Sequence, residues 1–369
     1  MIQFAGTAVF IKDEVRRAPL RHTFHLQPEE LSNSGKGYLD LIDSAEFERT
    51  PLFVQAEWAL FAIIELQDLQ AVTITQGRPF PNTSNYLFFE GLSALREAVL
   101  AAHNNTIHAS LTLLRTVVEL MVYHLWWQSR LDNDDGWRKF SAWLLGNSQE
   151  RDLGLKRVMR EVYDQQCLPS FAHGFDDLYS EYATLCTYVH KPLLAQSVVT
   201  IRGTNQPAAS APALRFWLER VGAVSRCLLD LLISSKPQSL FPVDLCRKFG
   251  FNPPIGLFFD QSGFTALKKA MSPEKLELYR KHYASNPDLE SLADFYNTRP
   301  DLGDVEILET WKEEEPESER ESATVQDRIA LRYTMMKAKM RALHWTAAYG
   351  GFSDPPWLAE TIGSALSRS

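Results

Sequence analysis

The chain has 369 residues, 45% of them hydrophobic, and a formal net charge of -8. That length and apolar content are ample for a sizeable core and for two or three domains. The acidic balance speaks against a free-standing nucleic-acid binder, which usually carries a strongly basic field, but leaves room for a local basic cleft. Long periodic apolar segments point to an all-α or nearly all-α protein. The four cysteines, Cys167, Cys186, Cys227 and Cys246, show no CxxC pair and no zinc-like neighbours, so they read as free thiols of a reducing compartment. The first residues, Met1-Ile-Gln-Phe-Ala-Gly-Thr7, lack the basic and apolar regions of a signal peptide. The most apolar stretch, Ile107 to Trp127, holds His108, Arg115, Glu119 and His124, which argues against a membrane span. The expectation is a cytoplasmic protein with no membrane association.

In chain order, residues 1 to about 50 are mixed, with a short strand expected at Thr7 to Ile11 and breaks at Pro19, Pro28 and Ser32 to Gly37. A helix is expected from Pro51, which suits a first helical turn, to about Val72. Thr73 to Pro81 is a connector with room for a strand over Val72-Thr-Ile-Thr75. Thr83 or Ser84 caps a helix running to about His103, and Asn104-Asn105 ends it. The next helix, from about Thr106 to Arg130, would span roughly 35 Å at 1.5 Å per residue. Asn133-Asp-Asp-Gly136 reads as a loop, and shorter helices follow at about 137–146 and 151–165. The helix carrying Tyr182 and His190 stops at Pro192, residues 202–212 form a loop, and a strong helix runs from about Pro212 to Ser234. Ser272-Pro273-Glu274 combines a cap, a proline at the first position and an acid in the first turn. Residues 301–321 are an acidic linker or exposed helix, and a helix with a basic face is expected from about Thr324 to Tyr349.

These elements divide into a mixed segment with one helix over 1–80, a helical bundle over 81–236, and a C-terminal helical region over 237–369. The expected fold class is mainly α, a helical bundle with a mixed N-terminal segment and a C-terminal helical extension.

Two stripes carry the chemistry. Arg115 and Glu119 lie four apart on one helix face, and His108, seven before Arg115, falls on the same face. His124 points elsewhere. On the later helix Tyr179, Tyr182, Cys186 and His190 step by 3, 4 and 4, one continuous stripe. Facing stripes would gather Arg115, Glu119, Tyr182 and His190 into one hydrogen-bonded cluster. Such a cluster is either a polar network holding the bundle in register or an active site. In the active-site reading His190 is the general base or acid, Arg115 binds a phosphate, Tyr182 donates a hydrogen bond and Glu119 orients Arg115.

The pattern Leu113-Leu-Arg115-Thr-Val-Val-Glu119, followed by Tyr182-Ala-Thr-Leu-Cys-Thr-Tyr-Val-His190-Lys-Pro192, resembles HEPN-like bacterial proteins over about residues 85–235. The resemblance implies a helical bundle, a toxin–antitoxin or antiviral defence setting, and RNA or a partner protein as ligand, with dimerisation through the bundle. Catalytic members resemble metal-independent ribonucleases whose hallmark is an Arg followed four to six positions later by a His. This chain departs from it: the first His after Arg115 is His124, nine positions on. The expectation is therefore a non-catalytic or weakly catalytic module. A ribonuclease using Arg115 and His190, or a pure scaffold, are the alternatives.

Arg151, Lys156, Arg157 and Arg160 form a basic strip, the best approach path for RNA or phosphate. Trp126-Trp127 either packs internally or marks a self-association face. His22, His25, Glu29 and Glu30 fit no established ligand set, and Ser34-Gly-Lys-Gly37 lacks the upstream glycine of a phosphate loop. No cofactor and no metal are expected.

Overall fold

The structure, a computed structural model, describes residues 51–303 and Glu306, apart from 71, 76–77, 82–83, 104–105, 132–133, 147–153, 191–210, 250–258 and 285–286. The expected strand at 7–11, the His22/His25 group, the Ser34–Gly37 turn and the helix over 324–349 lie outside the described residues, as does nearly all of the acidic run 301–321.

The protein is mainly α. Helix α1 spans Pro51–Glu65 and α2 Gln67–Gln70, followed by the hairpin strands β1, Val72–Thr75, and β2, Arg78–Pro81. The strands pair antiparallel in the register Val72 with Pro81 and Thr75 with Arg78, so the connector holds two strands where one was expected. Next come α3, Asn85–His103; α4, Ile107–Gln128; α5, Asp134–Leu144; α6, Leu155–Gln166; α7, Phe175–His190; and α8, Ala211–Ser235. After a 3-10 turn at Pro237–Leu240 follow α9, Leu245–Phe249; α10, Gln261–Ala270; α11, Pro273–Tyr283; and α12, Pro287–Asn297.

One prediction is corrected locally. Asp134–Gly136, expected as part of a loop, is the start of α5. Gly136 is required there, since a Cβ would stand 1.9 Å from the Arg130 carbonyl oxygen. The α11 start is as read: Ser272 accepts a hydrogen bond from the Lys275 N–H at 3.2 Å, with Pro273 at the first position.

Helix α4 is the central element. It packs against α3, α6, α7 and α8, while α1 packs against α8 and α10. The apolar face of α4, with Leu111, Leu114, Val118, Met121, Val122 and Leu125, is almost wholly out of solvent. Trp126 and Trp127 are buried, 2% and 0% exposed, so the pair packs internally. Trp127 stands edge-on to Phe140 at 5.2 Å and tilted against Trp143 at 5.8 Å, both from α5. The main apolar core runs from Ala59 in α1 to Tyr279 in α11, with members on both sides of positions 80 and 236, and a small separate cluster joins Val243 to Ala293.

At the heart of this core sits a polar node that periodicity alone does not reveal. His124 is fully buried. Its Nδ1 lies 2.8 Å from the Ser84 carbonyl and 3.1 Å from the Ser84 hydroxyl, and its Nε2 3.1 Å from Gln70 Oε1, so the neutral ring donates from one nitrogen only. Gln70 Nε2 passes the connection on to the Leu232 carbonyl at 3.3 Å, tying α2, α4 and α8. Burial holds the imidazole down at about 4, against an ordinary value of 6.5. The folded ring is therefore neutral, while the unfolded chain takes up a proton as pH falls through about 6.5. Stability from this group is full above that point and is lost on acidification toward about 4, by about 1.4 kcal/mol for each pH unit in the window. Urea melts at pH 7, 6 and 5 should show this decline, and His124→Gln should flatten it. An unchanged slope in the variant would assign the acid sensitivity elsewhere.

Candidate functional site

Helices α4 and α7 run antiparallel, which brings the two predicted stripes face to face. Arg115 Nε and Nη2 both reach Glu119 Oε1, at 2.9 and 2.8 Å. Tyr182 OH donates to the same oxygen at 2.7 Å, and the guanidinium carbon stands 5.7 Å from the centre of the Tyr182 ring. Three of the four predicted residues thus share one hydrogen-bonded cluster. The side chain of His190 lies outside the described residues; its backbone closes α7. His108 is on the same side of α4 but one level along, with Nε2 3.0 Å from the Tyr188 carbonyl.

The cluster sits at the rim of the bundle, with the Arg115 and Glu119 side chains 26% and 27% exposed. Burial works against the Arg115 charge, but the hydrogen bond with Tyr182 and the Glu119 carboxylate outweigh it, so the guanidinium is held above its ordinary value. Burial, reinforced by the bond to Glu119, pushes the Tyr182 phenol well above its ordinary range. At neutral pH the phenol is therefore a fixed donor, the carboxylate a fixed acceptor and the guanidinium a neutralised cation. This arrangement aligns α4 with α7, and it leaves Arg115 already engaged before any phosphate arrives.

The basic strip continues the same surface. Lys156 Nζ lies 4.6 Å from the centre of the Tyr179 ring, and the Arg160 guanidinium 4.5 Å from that of Phe175. Phe175 and Tyr179 stack on one another at 5.5 Å with their planes 8° apart. Along α7 the order Phe175, Tyr179, Tyr182 therefore carries three successive cations, Arg160, Lys156 and Arg115. Their charges are not equivalent. Arg157 is paired with Glu161 Oε1 at 3.0 Å, and Glu161 also takes Arg130 at 3.0 Å and the Trp126 indole N–H at 2.8 Å. Lys156 and Arg160 are exposed and have no carboxylate partner among the described residues. Arg151 lies outside the described residues.

A second polar centre was missed in the sequence. Asp230, near the C-terminal end of α8, is 0% exposed. Its Oδ2 accepts from the His173 backbone N–H at 2.8 Å, from His173 Nδ1 at 2.6 Å and from Lys275 Nζ at 2.7 Å. Burial pushes this carboxyl up, but the His173 bond and the Lys275 charge more than reverse that and hold it below its ordinary value. The signal that could have found it is the lone acid in Cys227-Leu-Leu-Asp230-Leu-Leu-Ile233: a charge in such a run must be matched from another element.

A cleft of about 460 Å³ opens between α11 and α12, lined by Phe241, Glu277, Arg280, Glu290 and Asp294 among others, and by none of the residues above. Its charges are mixed and its arginine is engaged, Arg280 Nε donating to the Leu240 carbonyl at 3.1 Å. The chemistry-bearing clusters lie outside this cleft. Among the described residues no group of three or more His, Cys, Asp or Glu side chains is arranged to hold a metal ion. No described helix is long and apolar enough to cross a membrane. No family model, curated protein or solved structure matches the chain.

Proposed function

We propose that this protein is a HEPN-like helical module, non-catalytic or weakly catalytic, that binds single-stranded RNA along the outer edge of α6 and α7 in a bacterial defence or toxin–antitoxin setting. The setting rests on the resemblance around Arg115 and Tyr182. The ligand rests on one observation: Lys156 and Arg160 are exposed, carry no carboxylate partner among the described residues, and are each seated on an aromatic ring of α7. Cation–π contacts hold two long side chains in place before binding, so less rotamer freedom is lost when phosphates engage them. The neutralised Arg115 supports binding over cleavage, since a guanidinium already given to Glu119 is a poor stabiliser of a developing phosphorane charge.

The test is fluorescence anisotropy with a labelled single-stranded RNA over a range of salt concentrations. Binding should weaken as salt rises. The double substitution Lys156→Ala/Arg160→Ala should reduce the slope of log K against log salt by about 1.4, two phosphate contacts at about 0.7 each. Binding that is insensitive to salt, or identical in the double variant, removes the reading. Cleavage of the RNA in chelator that disappears in Arg115→Ala would favour the ribonuclease alternative.

A further inference from the structure

Asp230, His173 and Lys275 come from three elements: α8, the loop between α6 and α7, and α11. A carboxylate only accepts hydrogen bonds, so the ring nitrogen 2.6 Å from Asp230 Oδ2 carries a proton. In the neutral ring the other nitrogen, Nε2, then holds a lone pair. No described residue hydrogen-bonds to Nε2, and the His173 side chain is 33% exposed. The backbone N–H of His173 donates to the same oxygen, so the ring is anchored twice and its outer edge is fixed in direction. Lys275 already supplies the counter-charge that a buried carboxylate needs, so the histidine is more than the charge balance requires.

We propose that His173 Nε2 is a nucleophilic acceptor for a phosphoryl group, a modification site served by donors of the acyl-phosphate or phosphoramidate class. The Nε2 lone pair forms a bond to phosphorus while the bond from phosphorus to the donor's leaving oxygen or nitrogen breaks. The leaving group departs with that electron pair, as a carboxylate from an acyl phosphate or as ammonia from the N-protonated phosphoramidate. Nδ1 keeps its proton throughout, and the positive charge that builds on the ring is met by Asp230 Oδ2 through a charge-assisted hydrogen bond. The Lys275 ammonium, 3.4 Å from His173 Nδ1, is held by Asp230 Oδ2 at 2.7 Å and takes no part in the step. The proposal stands independently of the RNA reading, since neither Lys156 nor Arg115 enters the step.

The experiment uses the full chain with potassium phosphoramidate as donor, read by intact mass and by peptide mapping of acid-labile phosphate. His173 should label at least about tenfold faster than the exposed His282 in the same molecule, the factor expected of one hydrogen bond to a charged group acting in the transition state. Asp230→Asn should slow His173 by a similar factor and leave His282 unchanged. Labelling of His173 no faster than His282 overturns the proposal. So does an undiminished His173 rate in folded Asp230→Asn. If that variant does not fold, the comparison of the two histidines within the wild type decides alone.

Discussion

Trp217→Ala lowers the stability of the fold by about 3–5 kcal/mol. Trp217 lies in α8 and is 0% exposed, one of the largest fully buried side chains of the core. Its indole N–H donates to Ser110 Oγ, and Ser110 donates onward to the Ala98 carbonyl at 2.6 Å. One side chain therefore connects α8 through α4 to α3. Truncation removes the apolar contacts of the ring and leaves a cavity that three packed helices cannot close without moving. Ser110 keeps its bond to Ala98, so the loss is one of packing more than of polar satisfaction. Trp217→Phe, which keeps a ring, should cost clearly less. Urea denaturation at fixed pH reads both. A loss under about 1 kcal/mol for the alanine variant, the typical effect of an unremarkable substitution, would mean that α8 does not dock on α4 as described.

Lys275→Met is the second large effect, with an expected loss of about 3–5 kcal/mol. The lysine and His173 are the side chains within hydrogen-bonding distance of Asp230 Oδ2, and in the variant the methylene stem is replaced by a side chain of similar length. What remains is a carboxylate with no permanent positive neighbour, in a site 0% exposed. Combining it with Asp230→Asn should recover much of the loss, because the pair is then neutral on both sides. Because the Asp230 carboxyl is held below its ordinary value, the stability it confers is present above the ordinary carboxylate range and is lost as pH falls through it. The Lys275→Met variant should lose most of that acid-side dependence. Additive losses in the double variant would show that the two groups do not interact.

The helices and the Arg115 cluster were legible because their signals are local. Arg115 and Glu119 are one turn apart, and the stripe of Tyr179, Tyr182 and Cys186 follows helical spacing, so the sequence alone displays two faces of chemically capable residues. The basic strip was visible too, but not its internal difference. That Arg157 is spent on Glu161, while Lys156 and Arg160 rest on Tyr179 and Phe175, depends on how α6 lies across α7. The two buried polar centres were illegible for the same reason. Gln70, Ser84 and His124 are spread over 54 positions between the first contact and the last, and His173, Asp230 and Lys275 over 102. No periodicity links such residues; only packing does. The start of α5 was misread because Asn133-Asp-Asp-Gly136 has turn composition, whereas the close approach of the Arg130 carbonyl gives that glycine a helical task.

The unbroken apolar interior, which begins in α1 and ends in α11, has a practical consequence for anyone who cuts this gene. A fragment limited to 85–235, the stretch with the recognisable pattern, would leave bare the flank of α8 that α1 covers and would strip Asp230 of Lys275. Such a truncation should collect in inclusion bodies. The smallest piece that buries its own core is therefore longer than the two helices that carry Arg115 and Tyr182.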